Sequence, residues 1–207
     1  HLWAETYDRE LSASSIFAVQ DEISERVVAA IAGGYGVISR ARFVEVKKKP
    51  TDRLEAYEAV SQILAYAMDT FNAARQAEVR SALERAVRLD AEYSDALAFL
   101  SIVYLDEYRF NYNPQVDPLS RALEAARRAV DLDAASLRAH LALAFVYFHR
   151  HELDAFFAES ERVIALNPNN PGMLAALGDE LHYAGDERGV AFVRKAIRID
   201  PFHPTWF

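Results

Sequence analysis

Four stretches decide the reading of this chain: Ala86-Val87-Arg88-Leu89-Asp90, Ala129-Val130-Asp131-Leu132-Asp133, Val163-Ile164-Ala165-Leu166-Asn167 and Ala196-Ile197-Arg198-Ile199-Asp200. They are one phrase, repeated at spacings of 43, 34 and 33 residues. A period in this range is the signature of stacked helical hairpins, each of which buries its apolar face only against its neighbours. The expected fold class is therefore all-α, an α-α superhelix of helical hairpins, with a short strand and a helix ahead of it.

Working outward from the phrase, apolar residues recur at spacings of three and four, and prolines and caps punctuate them. The spacing predicts hairpins over 54–70 with 72–89, 95–108 with 119–132, 136–150 with 153–166, and 171–184 with 187–199. Pro171 and Pro204 each follow another proline, Pro168 and Pro201, by three residues. Proline is well tolerated in a first helical turn, so a fifth hairpin is expected to open near Pro204 and to stop at Phe207. Ahead of the hairpins, Leu2 to Tyr7 reads as a short strand. Ile16, Val19, Ile23, Val27 and Ile31 then form one apolar stripe of a helix, with Asp21, Glu22 and Glu25 on its far side. Gly33, Gly34 and Gly36 end or bend that helix. Arg40 to Pro50 reads as a basic connector, and the domain boundary is placed at 46/47.

The chain carries a net charge of -8 and has no cysteine. Nucleic-acid binders carry a basic footprint, and the run Lys47-Lys48-Lys49 is too short to supply one, so no nucleic-acid partner is expected. Absence of cysteine excludes disulfides and thiolate metal sites and fits a reducing compartment, which makes the cytoplasm the expected location. No apolar run approaches the roughly 18 residues needed to span a bilayer.

The hairpins resemble the tetratricopeptide repeat. Its first helix wants Leu-Gly-x-x-Tyr, matched by Leu100-Ser101 with Tyr104, by Leu143-Ala144 with Tyr147, and by Leu177-Gly178 with Leu181. Its second helix wants small residues, matched by Ala122, Ala126 and Ala129 and by Gly189, Val193 and Ala196. Phe156 departs from that pattern, and a wider contact is expected around it. The second hairpin carries an insertion, 109–117, whose Phe110 and Tyr112 would fold back on a neighbouring helix or meet a partner. The opening residues, His1 to Arg9 followed by Ile16 to Ile23, are similar to the last strand and helix of a TolB-like domain. That resemblance implies a bacterial signalling protein in which the repeats stand behind a class III adenylate/guanylate cyclase domain or a winged-helix domain. The chain then reads as a segment of a longer protein.

No enzyme signature is legible. The cluster His149-Arg150-His151-Glu152 lacks the second histidine of a zinc-protease motif and falls at an inter-helix turn. Gly33-Gly34-Tyr35-Gly36 lacks the lysine of a phosphate-binding loop. No catalytic residue, cofactor or metal is expected. The candidate site is instead a concave groove lined by first-helix positions facing away from the second helix: Ile102 and Leu105, then Arg138, Leu141, Phe145, Phe148 and His149, then Asp179, His182 and Tyr183. Ala98 and Ile102, with Leu141 and Phe145, stand where chaperone-binding relatives carry a carboxylate clamp, so a chaperone tail is not the expected ligand. An apolar groove suits an amphipathic helix; alternatively these side chains touch one another, or the helix from Ile16 to Ile31 covers them. The expected partner is a protein or peptide, including an output domain of the same polypeptide, or another copy through an apolar carboxy-terminal end.

Overall fold

The structure, a computed structural model, describes residues 72–200 without a break, together with a few positions near 19–28, Val60 and His203. Seven helices lie in that continuous span: α1 (Ala73–Leu89), α2 (Ser94–Phe110), α3 (Pro118–Leu132), α4 (Leu137–His149), α5 (Leu153–Leu166), α6 (Pro171–Tyr183) and α7 (Arg188–Ile199). No strand occurs among the described residues. The expected strand at 2–7, nearly all of the expected helix at 54–70, the 46/47 boundary and the fifth hairpin lie outside them. The described positions between 19 and 28 are all helical, with Val19, Ile23 and Val27 half-buried and Gln20, Asp21 and Ser24 exposed. The chain divides into two compact units, Phe43–Pro168, and His1–Arg42 with Asn169–Phe207.

The repeated phrase owes its form to two structural demands. Its first residue packs a second helix: Ala86, Ala129, Val163 and Ala196 are at most 2% exposed. Its last residue ends that helix. Asp90, Asp133, Asn167 and Asp200 are extended, and each N–H donates to the carbonyl of the phrase's first residue. The Asp90 and Asp133 carboxylates then accept the N–H two residues on, at 3.0 Å in both cases. This local bond turns the chain toward the next helix. Helix starts follow the expected punctuation. Asn72, Asp117, Ser136 and Asn170 accept the N–H three residues ahead, and Pro118 and Pro171 occupy the first turn.

In the first unit's core, Val79, Leu83 and Ala86 of α1 meet Ala96, Phe99, Leu100 and Val103 of α2, with Val60 beside them. Leu97 and Ala98 meet Ala126 and Ala129 of α3 and Ala139, Ala142 and Leu143 of α4. Each fully buried aliphatic side chain contributes about 1.5–3 kcal/mol. The small position of the repeat's first helix is used differently in each hairpin. Ser101 is buried and donates its hydroxyl to Ala122 O at 2.8 Å. In the other unit, Gly178 meets Gly189, and a Cβ on Gly178 would lie 2.7 Å from Gly189 O. Phe156, at the place of a small residue, is fully buried against the rings of Phe148 and Phe157, with centroids 5.3 and 5.2 Å away.

Candidate functional site

The ten groove positions divide by accessibility and by unit. In Phe43–Pro168, Leu105, Leu141 and Phe145 are buried, at 0%, 4% and 7% exposure. These three side chains are closed to solvent and offer no surface to a partner. Ile102, Arg138, Phe148 and His149 are half-buried and keep a solvent-facing part. Asp179, His182 and Tyr183 stand exposed on α6 in the other unit, where His182 and Tyr183 have ring centroids 6.0 Å apart.

The accessible residues of α2 and α4 meet at the carboxy-terminal turns of both helices. Tyr108, 48% exposed, stands edge-on to His149 at 6.3 Å, and His149 stands edge-on to Phe148 at 5.1 Å. Such edge-to-face pairs fix ring orientation. His149 Nδ1 lies 3.0 Å from Phe145 O. Burial, ahead of the nearby Arg109 and His151 charges and against that backbone bond, holds its pKa below the ordinary histidine range. It therefore presents a neutral, aromatic surface at neutral pH. At the other end of α4, Arg138 bonds Asp95 Oδ1 at 3.2 Å and lies 4.1 Å over the Phe99 ring. The cation is thereby fixed rather than swinging in solvent.

Sequence reasoning missed the group that shapes this edge, Glu107. Its carboxylate is wholly buried and bonds Arg80 of α1 at 2.8 Å and Arg121 of α3. It also accepts the Gln115 N–H at 3.0 Å. Around it the inserted loop is tied down. Arg80 reaches Asn113 O at 3.1 Å, Arg121 reaches Val116 O at 3.1 Å, and Asn113 Nδ2 donates to Ala73 O at 2.6 Å. Three loop residues, Asn111, Asn113 and Asp117, have positive φ, a conformation that asparagine and aspartate tolerate better than most. The insertion thus does fold back, but through polar and backbone groups. Helix α2 runs on through Phe110, which stays 40% exposed with its ring 5.3 Å from Tyr112, and Val116 is 90% exposed. A buried acid between two repeat units has no signature in a single sequence, because its arginines lie 27 residues before and 14 after it.

The histidine cluster sits at the α4–α5 turn, as its register predicts. Arg150 bonds Glu152 at 2.6 Å, and His151 has φ +59°. Among the described residues no three His, Cys, Asp or Glu side chains are grouped to hold a metal ion. No helix among them is long and apolar enough to cross a membrane.

No protein-family model matches the chain. A crystal structure of TTC0263, a thermophilic TPR protein of Thermus thermophilus, superposes over 88% of this chain and 91% of its own, at TM-score 0.54 and 19% identity. The fold is of the tetratricopeptide type. A crystal structure of MamA covers 92% of this chain and 96% of its own, at TM-score 0.45 and 16% identity. In sequence, the chain is 33% identical over 157 residues to a Rhizobium meliloti (strain 1021) protein named "Putative adenylate cyclase 3". The match takes in 74% of this chain but only 25% of that protein. The chain thus spans about a quarter of the length of the curated relative it matches.

Proposed function

We propose that this chain is the regulatory, protein-binding arm of a longer bacterial signalling protein with a cyclic-nucleotide cyclase as its output. In this reading the partner is an output domain of the same polypeptide, and it meets the carboxy-terminal turns of α2 and α4. The observation that carries the reading is the rigid aromatic edge of Tyr108, Phe148 and His149. Partly exposed rings held in fixed orientation lose little freedom on binding, and aromatic residues dominate interface hot spots. Ile102 and the fixed cation of Arg138 extend the surface along α2 and α4. The name of the Rhizobium meliloti relative supports the cyclase context, and hairpin repeats of this kind suit an extended contact surface.

The test is calorimetric titration of the chain with the remainder of the full-length polypeptide. Binding is expected, and Tyr108→Ala is expected to weaken it by about tenfold or more, as hot-spot truncation does. Failure to bind, or binding untouched by both Tyr108→Ala and Arg138→Glu, overturns the reading.

A further inference from the structure

Two histidines of α4 stand in opposite hydrogen-bonding situations. His149 meets one acceptor, Phe145 O at its Nδ1, and a neutral ring serves that bond. His140 meets two. Its Nδ1 lies 2.6 Å from the Glu159 carboxylate of α5, and its Nε2 lies 3.0 Å from Ala134 O in the turn between α3 and α4. An ionised carboxylate and a backbone carbonyl only accept. A neutral imidazole carries one N–H and can donate to one of them, whereas an imidazolium carries two and serves both. The His140 side chain is 5% exposed, so little water reaches the ring. A bare ring nitrogen held against an oxygen at this distance, away from water, is costly.

The geometry points to a proton-operated joint between the second and third hairpins, in which the His140 imidazolium ties the α3–α4 turn to α5 and loss of one ring proton releases Glu159. Which bond gives way follows from how each acceptor is held. Ala134 is fixed by its turn, where the Ser136 N–H donates to Asp133 O and the Ala135 N–H to the Asp133 carboxylate, both at 3.0 Å. The Glu159 side chain is 23% exposed, and rotation about its own bonds carries the carboxylate into water. The Nδ1 proton therefore leaves to solvent, the Nε2–H stays on Ala134 O, and α5 loses this tie to α4. Other charged groups on the elements packed against α4 do not take the place of Glu159. Asp95 of α2 holds Arg138, Asp133 holds the Ala135 N–H, and Arg127 and Arg128 of α3 reach the Tyr147 hydroxyl and Ala91 O. Glu124 and Asp131 of α3 and Glu161 and Arg162 of α5 are exposed. Among the described residues, Glu159 is the charged group that meets the ring.

The first test is nitrogen-15 spectroscopy of the histidine rings in the full 207-residue chain. At about pH 5.5 both His140 nitrogens are expected to carry protons, and at about pH 8.5 only Nε2. A ring that is neutral at the lower pH, one still doubly protonated at the higher, or an Nδ1–H tautomer there overturns the proposal. The second test asks whether the proton governs the contact with α5. Glu159→Gln keeps the shape of the side chain and removes its charge. It should lower the urea midpoint at about pH 5.5 at least about twice as far as at about pH 8.5, and that difference should vanish in a His140→Gln background. A Glu159→Gln effect that is the same at both pH values, or a pH-dependent effect that persists without the His140 ring, overturns the joint. The spectroscopy needs no substitution and decides alone if His140→Gln fails to fold.

Discussion

Glu107 is the residue on which the most local structure depends. Its buried carboxylate joins α1, α3 and the inserted loop through Arg80, Arg121 and Gln115. Breaking a buried ion pair by removing one partner leaves uncompensated charge and costs about 3–5 kcal/mol. Glu107→Ala should therefore lower unfolding free energy by about that amount in urea titration. Unchanged stability would mean that the three groups find water instead. His149 gives a pH signature. Its folded pKa lies below the ordinary value of 6.5, with burial the main cause. As pH falls through 6.5 the unfolded chain takes up the proton first, so this contribution to stability is present above that pH and is lost on acidification. The stability difference between the parent chain and His149→Gln should shrink from about pH 7 to about pH 5, and a constant difference would refute the assignment. Tyr104 moves the other way. Burial, with the Glu84 carboxylate, pushes its phenol up to about 12. Its ultraviolet titration should come well after that of an exposed tyrosine, and Glu84→Gln should bring it down.

At the scale of elements, α6 and α7 touch where neither can carry a side chain. A Cβ on Gly189 would lie 2.7 Å from His182 N and closer still to Gly178 O. Gly189→Ala should destabilise by about 1–3 kcal/mol through overpacking. Gly185→Ala should cost about 1–2 kcal/mol for a different reason, since its φ is +87° while the space around it is open. Thermal melts separate the two, because Asn at 185 should recover part of the loss and Asn at 189 none. Gly178 and Gly189 are legible as repeat positions, and so are the helix ends, because the phrase ending in Asp90, Asp133, Asn167 and Asp200 records a backbone requirement that recurs in every hairpin. The loop 111–117 is legible only as an excess of length. Its course depends on Glu107, Arg80 and Arg121, which meet only after three helices have packed, so no local pattern announces them. The accessible part of the groove escapes the sequence for a related reason: register says which way Leu105, Leu141 and Phe145 point, whereas their burial depends on how closely α2 and α4 approach.

For the whole molecule, the fold follows from a period that survives one insertion and one large aromatic substitution, while function follows from which surfaces the packed hairpins leave open. Tyr108, Phe148 and His149 form one such surface. The chain spans about a quarter of its curated relative, so the decisive readout belongs to the full-length protein. The measurement is cyclic-nucleotide production by the full-length polypeptide, with the natural sequence and with Tyr108→Ala or Arg138→Glu, each variant first shown to melt as the parent does. A regulatory arm predicts a change of about fivefold or more in turnover, the lower range of ordinary coupling between sites. Turnover identical in all three proteins, or no cyclase turnover at all, would contradict the account.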